Sequence, residues 1–244
     1  MKQDRLFREG TPRDSGFRFD DKVAAVFNDM VTRSVPFYVE QQRMVAEIVI
    51  QRLQPGTDIY DLGCSTGTTL INLSHAVSDS IQLIGYDNSA SMLRQARSAI
   101  AAHGLAERIS LRIADLDEDP LALSIENAGA VLLCWTLQFV RPVNRHALIG
   151  RIYDGLVDGG MLLVTEKVLT NNTDLERDYI AFYHQLKVRS GYSDTEIHKK
   201  REALENVLVP YRIDENKKLF YDNGFRVVET FFQWYNFVGF ICLK

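Results

Sequence analysis

Short apolar segments alternate with helix-like segments over residues 59–167, and this alternation limits the possible folds more than any other feature of the 244-residue chain. The first apolar segment, residues 59–62, leads into a glycine-containing turn and then into helical spacing. Residues 130–134 are continuously apolar, as in a strand buried on both faces of a parallel sheet. Strands alternating with helices at this interval predict an α/β fold with a mostly parallel, doubly wound sheet.

The rest of the pattern completes this sheet and adds helices to it. After the strand MLLVTEK come two predicted helices inserted behind the fifth strand, then a short helix and the turn Asn223-Gly224. Two β-rich runs around Tyr235-Asn236 predict a closing antiparallel hairpin. The other predicted strands cover residues 82–86 and 109–115, and the predicted helices cover residues 68–76, 89–103, 144–156, 175–189, 195–207 and 216–221.

The N-terminal part precedes the alternation and is predicted to be helical. Residues 1–20 form an arm without periodicity, residues 20–35 one amphipathic helix ended by Pro36, and residues 41–53 a second helix. We therefore expect one domain over residues 1–244. Its parts are an N-terminal helical lid (1–55), a core sheet (56–168), a helical insertion (169–210), and a C-terminal helix and hairpin (211–244).

Composition excludes several classes of function. The net charge of -4 lacks the basic excess of nucleic-acid binders. No apolar run approaches the ~18 residues of a membrane span, and the start of the chain is too polar for a signal peptide. Three cysteines without paired spacing predict neither a metal site nor a disulfide framework. We expect a cytoplasmic protein with a small-molecule substrate and no direct contact with nucleic acid or membrane.

The turn Gly63-Cys64-Ser65-Thr66-Gly67 has several possible readings. It is too short for a phosphate-binding loop and lacks that loop's lysine, and the dinucleotide fingerprint G-x-G-x-x-G is absent. It matches the nucleophile elbow G-x-S-x-G, but an elbow needs a later histidine on a loop. His184 and His198 fall within predicted helices. Ser65 is therefore interpreted as a turn residue.

Three aspartates mark the ends of the first three strands. Asp61 precedes the turn, Asp87 ends the second strand and Asp115 ends the third. This arrangement favours an adenosine that carries positive charge and no phosphate: the turn's amides would meet a ligand carboxylate, Asp87 the ribose hydroxyls and Asp115 the adenine amino group, with the Leu116 backbone at the ring edge. Aspartates that only cap helices are the alternative.

These motifs resemble the class I S-adenosylmethionine-dependent methyltransferases over residues 60–167. Across nearly the whole chain, the segments FRFDDKVAAVFNDMVTRSVPFY, YDLGCS, YDNSASM, TLQF, EKV, GYSDTEIHKKREALENV and FFQWYNF resemble the carboxy-S-adenosylmethionine synthase family. That resemblance implies a Rossmann-like methyltransferase fold, S-adenosylmethionine (SAM) as cofactor, and a homodimer. It also implies conversion of SAM and prephenate to carboxy-SAM and phenylpyruvate, the carboxy-SAM then serving a partner enzyme that modifies the wobble uridine of tRNA.

The same resemblance implies roles for individual residues. Tyr38 would contact the ligand from the lid, and Arg201 would bind the transferred carboxylate from the other subunit; these two are the expected catalytic residues. The expected cofactor-binding set is Tyr38, Gly63, Cys64, Ser65, Asp87, Asn88, Asp115, Leu116, Cys134 and Arg201.

Two positions depart from the family pattern. Cys134 stands where the family has asparagine, and a thiol donates and accepts hydrogen bonds poorly. Phe37 stands where the family has glycine, so we expect its ring to reshape the pocket over the sulfonium. Tyr183 and Tyr192 are candidates to face that cation. Methyl transfer, cyclisation of SAM to azetidine-2-carboxylate and methylthioadenosine, and binding without catalysis remain alternative functions.

Overall fold

The computed structural model describes residues 3–8 and 17–244, in which seven strands form one sheet of order β3-β2-β1-β4-β5-β7-β6. Strands β1 to β5 pair in parallel, and β7 pairs antiparallel with both β5 and β6. The predicted parallel sheet with a C-terminal hairpin is therefore confirmed. The strands are β1 (Asp58–Leu62), β2 (Leu83–Asp87), β3 (Ile109–Ile113), β4 (Ala128–Cys134), β5 (Leu156–Lys167), β6 (Val227–Trp234) and β7 (Phe237–Leu243).

Helices lie before, between and after the parallel strands. Of the predicted arm, residues 1, 2 and 9–16 lie outside the described residues. None of the helices in the described ranges has the length and apolarity that crossing a membrane requires. The helices are α1 (Asp21–Ala24), α2 (Phe27–Ser34), α3 (Tyr38–Arg52), α4 (Thr68–Ser74), α5 (Ala90–Ala102), α6 (Pro142–Gly155), α7 (Thr173–Arg189), α8 (Asp194–Leu204) and α9 (Ile213–Asp222).

Strand β4 lies at the centre of the parallel sheet because its sequence is apolar on both faces. It pairs with β1 on one side and β5 on the other, and Val131, Leu132 and Leu133 are completely buried. Val131 and Leu133 belong to the apolar cluster on one face of the sheet, and Leu132 belongs to the cluster on the opposite face. The carboxyl ends of the parallel strands are thus anchored from both sides, which fixes the side chains that follow them.

The predicted helix over residues 20–35 is wrong as a continuous element. It breaks at Val26, where φ is -123° and ψ is 5° and the amide donates to the carbonyl of Val23. The physical reason is that its two halves have different neighbours: α1 packs against α5, whereas α2 packs against α3 and α7. The next helix, α3, begins at Tyr38 rather than at the predicted residue 41.

The predicted boundary between α6 and β5 is also displaced. The DGG segment, residues 158–160, was expected to end the helix, but α6 ends at Gly155 and the segment lies within β5. Gly159 has φ of 75°, which favours glycine, and the pairing of β4 with β5 shifts between Ala128 and Ala130. The three residues therefore form an irregularity in the strand rather than a loop before it.

Candidate active site

A cavity of about 370 Å³ lies at the carboxyl ends of β1, β2 and β4. The lid helices α2 and α3 and the aromatic rings of Phe17 and Phe19 cover it from the N-terminal side. Every expected cofactor-binding residue except Arg201 lines this cavity. Its position at the carboxyl ends of parallel strands is where open α/β sheets bind their ligands.

Gly63 shapes the turn after β1 and admits no side chain. Its φ is 83°, and a Cβ atom there would lie 2.3 Å from Oγ1 of Thr136. Ser65 also adopts a left-handed conformation, with φ of 49°. The side chain of Cys64 is buried in the sheet, since a Cβ atom added to Gly85 would lie 2.8 Å from its Sγ. The turn therefore presents mainly backbone to the cavity.

The amides of this turn are bonded within the protein. Those of Gly63 and Cys64 donate to the carbonyl of Tyr86 at 2.7 and 2.9 Å, and that of Ser65 donates to Oδ2 of Asp87 at 2.9 Å. Strand β2 and its terminal aspartate therefore supply acceptors for these three amides. The predicted contact between the turn's amides and a ligand carboxylate stays a prediction for the amide of Thr66, which has no acceptor within the described residues and lines the cavity.

Asp87, the last residue of β2, holds the turn and faces the cavity. Its Oδ2 accepts from the amide of Ser65 and its Oδ1 from the amide of Ser89 at 2.8 Å. Burial raises the pKa of this carboxyl, and the two amide bonds act in the opposite direction. Each carboxylate oxygen retains capacity for a further hydrogen bond, as a pair of ribose hydroxyls would require.

Asp115 follows β3 and is held by three donors. Asn88 Nδ2 donates to its Oδ2 at 2.9 Å, and the amides of Asp117 and Glu118 donate to Oδ1 at 2.8 and 3.1 Å. Burial alone would raise its pKa, but these bonds leave the pKa below its ordinary value. Leu116 is buried beside it. A fixed, ionised carboxylate suits an amino-group donor such as adenine N6.

Asp61 is a cavity residue to which the sequence assigned no specific contact. It is 1% exposed, its Oδ1 has no hydrogen-bond partner in the described chain, and it lines the cavity. Burial, followed by the nearby charge of Asp87, raises the pKa of this carboxyl to about 7. A buried carboxylate without a donor is costly unless a ligand supplies one. In the sequence, the only indication of such a role is the spacing D-x-G, in which Asp61 stands two residues before Gly63.

Tyr38 and Cys134 both line the cavity and lie close enough to interact electrostatically. Burial raises the pKa of both groups, and the charge of Asp61 raises each further. The phenol and the thiol therefore remain protonated at neutral pH. They are placed to contact a ligand as neutral groups, and neither is an activated nucleophile.

Phe37 does not reshape the cavity, contrary to the expectation from its bulk. Its backbone is left-handed, with φ of 54°, at the start of α3. The side chain is 57% exposed and its ring faces Trp234 with centroids 6.5 Å apart. A left-handed conformation favours glycine, the residue that the family resemblance implies at this position.

Basic and aromatic side chains also line the cavity, and no pattern in the sequence marked the lysines among them. They include Lys167, Tyr183 and Lys200. Tyr192, the second candidate for a sulfonium contact, does not line the cavity; its hydroxyl donates to Oδ2 of Asp4 at 2.7 Å. Arg201 is exposed on α8 and lies outside the lining of this chain's cavity.

The nucleophile-elbow interpretation gains no support from the geometry. The hydroxyl of Ser65 donates to the carbonyl of Gly63 at 3.4 Å. All five histidines lie in the described part of the chain, and none lines the cavity. Without a base beside Ser65 the hydroxyl has no means of activation.

Comparison with known proteins agrees with this site. Residues 59–160 match the family model described as a methyltransferase domain. A solved structure from Methanococcus maripaludis, provisionally assigned as a SAM-dependent methyltransferase, has 19% identity and a TM-score of 0.63, covering 96% of this chain and 97% of that one. Human N-acetylserotonin methyltransferase has 15% identity and a TM-score of 0.60; the match covers 92% of this chain and 55% of that chain. Fold and site therefore define a SAM-dependent transferase with the methyltransferase fold.

Similarity over the full length identifies the family. Carboxy-S-adenosyl-L-methionine synthase from Methylococcus capsulatus is 46% identical over 100% of both chains. The synthase from Desulfotalea psychrophila is 42% identical, over 100% of this chain and 98% of its own. The synthase from Nitratiruptor is 41% identical, over 100% of this chain and 99% of its own. The chain belongs to the carboxy-S-adenosyl-L-methionine synthase family, and SAM is its cofactor.

Proposed function

We propose that the chain converts SAM and prephenate into carboxy-SAM and phenylpyruvate. The observation that supports this proposal most directly is the set of charged residues that line the cavity. The chain is also similar to carboxy-SAM synthases over its full length. Three carboxylates, those of Asp61, Asp87 and Asp115, lie toward the strand ends, where a cationic nucleoside fits. The lysines that line the same cavity, Lys167 and Lys200, suit a substrate that carries carboxylates.

The chemistry balances without a redox partner. Prephenate loses carbon dioxide and hydroxide as its ring becomes aromatic. The sulfonium methyl loses a proton, its carbon forms a bond to the carbon dioxide, and the proton and hydroxide combine as water. The role proposed for Arg201 is to hold the new carboxylate through a bidentate ion pair. Tyr38 is proposed to contact the ligand as a neutral phenol.

The proposal includes a homodimer in which Arg201 acts across the subunit interface. Support comes from the exposure of Arg201 and from exposed aromatic rings elsewhere on the surface. Phe37, Phe182 and Tyr235 are 57%, 38% and 39% exposed. Tyr235 contacts the ring of Phe182 at 4.8 Å. An exposed aromatic surface of this kind favours a protein partner, and a second copy is the one proposed.

The dimer role can be tested by mixing two defective variants. Arg201→Ala and Asp87→Ala proteins are each expected to lack activity. In a mixed dimer, the Asp87-containing subunit receives Arg201 from its partner, so one complete site forms and activity returns. If the two variants stay inactive when mixed and re-equilibrated, Arg201 does not act from the other subunit.

Product analysis with SAM carrying a deuterated methyl group tests the reaction. Carboxylation leaves two of the three methyl deuterons on a cofactor that has gained one carboxyl group, and only when prephenate is present. Methyl transfer would yield unlabelled S-adenosylhomocysteine, and cyclisation would yield fully labelled methylthioadenosine without prephenate. Either of the last two outcomes replaces the proposed reaction. We propose that the product serves wobble-uridine modification of tRNA in the cytoplasm, through a partner enzyme.

A further inference from the structure

Three lysines from separate elements lie beside the cavity; Lys167 and Lys200 line it, whereas Lys187 lies outside its lining. Lys167 is the last residue of β5, Lys187 lies on α7 and Lys200 on α8. The Nζ atoms of Lys167 and Lys187 lie 5.6 and 4.2 Å from the centroid of the Tyr183 ring, which lines the cavity. We call these three residues the lysine cluster. Two of its members, Lys167 and Lys200, line the same cavity as the strand-tip aspartates.

The charge of the lysine cluster is only partly balanced by the protein. Lys200 donates to Oγ of Ser34 at 3.0 Å and lies 3.9 Å from Oδ2 of Asp4. The ammonium groups of Lys167 and Lys187 have no hydrogen bond or ion pair within residues 3–8 and 17–244. Both ammonium groups instead make a cation–π contact with the ring of Tyr183. Lys187 is nevertheless only 9% exposed.

Packing alone does not explain why the chain buries the ammonium groups of Lys167 and Lys187 at a cost in free energy. A buried ammonium without a counter-ion is strongly unfavourable, and one cation–π contact recovers only a part of that free energy. Burial first, and then the charges of Lys200, Lys167 and Arg201, together lower the pKa of Lys187 to about 7. Burial also lowers the pKa of Lys167, and the negative charge of Glu176 acts against this shift. An anionic ligand would balance these charges.

The hydrogen bonds of the turn after β1 also favour an anion site at the lysine cluster. Because the amides of Gly63, Cys64 and Ser65 are already bonded, these three offer no anion site within the cavity. We propose that Lys167 at the cavity wall holds a carboxylate group of a dianionic second substrate, and that Lys187, outside the lining but over the same Tyr183 ring, adds its positive charge to this subsite. This proposal rests on the proposed function and adds to it the residues that select a substrate with two carboxylates over one with a single carboxylate.

Binding experiments without turnover test the subsite. With S-adenosylhomocysteine, which has no sulfonium methyl to react, in place of SAM, wild-type protein should bind prephenate, a dianion, about tenfold or more tightly than phenylpyruvate, a monoanion, since an ion-paired hydrogen bond is worth at least that factor. Lys167→Met and Lys187→Met should remove this preference while SAM affinity stays unchanged. Lys199→Met, on α8 outside the cavity lining, is the matched control and should behave as wild type. Unaltered preference in both the Lys167→Met and the Lys187→Met variant overturns the proposal.

Two further measurements separate a binding role from a structural one. Removing an unpaired buried charge should raise the thermal midpoint of ligand-free Lys187→Met; a structural lysine predicts a fall. Prephenate binding at about pH 8 should take up protons, because the ligand raises the pKa of Lys187, and this uptake should vanish in Lys187→Met. The charged groups that face Lys187 are Lys167, Lys200 and Arg201. Equal proton uptake in wild type and variant refutes the assignment.

The binding test of the lysine subsite can fail or succeed independently of the product analysis that tests the reaction. Absence of carboxy-SAM from the product assay would reject the proposed reaction but not the subsite, because the selectivity is measured by binding. Conversely, normal carboxylation by Lys167→Met and Lys187→Met with wild-type KM for prephenate would reject the subsite and leave the reaction intact.

Discussion

Asp61→Asn is the most informative single substitution in the cavity because stability and cofactor affinity should change in opposite directions. The wild-type carboxyl is buried, and its pKa is raised from 3.8 to about 7, first by burial and then by Asp87. That rise is about three pH units, and each unit corresponds to about 1.4 kcal/mol, so the ionised form costs the ligand-free fold up to about 4 kcal/mol.

The sign of the pH dependence follows from the raised pKa. Stability contributed by Asp61 is fully present below its unfolded pKa and is lost as the pH rises through about 7. Ligand-free Asp61→Asn should therefore be more stable than wild type at about pH 8 by ~1–3 kcal/mol, since the buried amide's own desolvation reduces the gain. At about pH 4 the difference should disappear. Glu166, whose pKa burial also raises to about 7, is present in both proteins and cancels in the comparison.

Binding of SAM should show the opposite effect. The positive charge of SAM favours ionised Asp61, so wild-type affinity should rise as pH increases through about 7, whereas the variant should bind more weakly and without that rise. Denaturant unfolding from about pH 4 to 8 gives the stabilities, and calorimetric titration gives the affinities. Parallel stability profiles for the two proteins, or equal SAM affinity at about pH 8, would refute this reasoning.

Three other substitutions separate the parts of the site. Asp87→Ala should weaken SAM binding by ~3 kcal/mol in a calorimetric titration, since two hydroxyls lose a charged acceptor; an affinity within twofold of wild type would exclude the ribose role. Arg201→Ala should leave SAM affinity unchanged and weaken carboxy-SAM binding by about tenfold or more, and equal losses for the two ligands would contradict its role. Phe37→Gly should relieve ~1 kcal/mol of left-handed backbone strain and leave SAM affinity unchanged, because the ring lies outside the cavity; weaker SAM binding would show that the ring contributes to the site.

The elements that sequence predicted well are those whose pattern is local. The apolar run of β4 and the aspartates that end β2 and precede the β1 turn are read from adjacent residues, and parallel pairing brings them together. The hairpin around Tyr235-Asn236 was predicted for the same reason, from two β-rich runs separated by a short turn.

The features that sequence missed depend on contacts between distant segments. The break at Val26 follows from the different neighbours of α1 and α2, and the exposed ring of Phe37 faces Trp234, in the distant strand β6. The lysine cluster brings together β5, α7 and α8, so neither spacing nor periodicity marks its members as neighbours. The occupied turn amides depend on the carbonyl of Tyr86, in the next strand.

A crystal structure of the wild-type protein with bound SAM tests the central claim most directly. The account predicts the ribose hydroxyls within hydrogen-bonding distance of the Asp87 carboxylate, the adenine beside Asp115 and Leu116, and the sulfonium methyl directed toward Tyr183 and Lys167. Density for the nucleoside outside this cavity, or a ribose that does not meet Asp87, would contradict it.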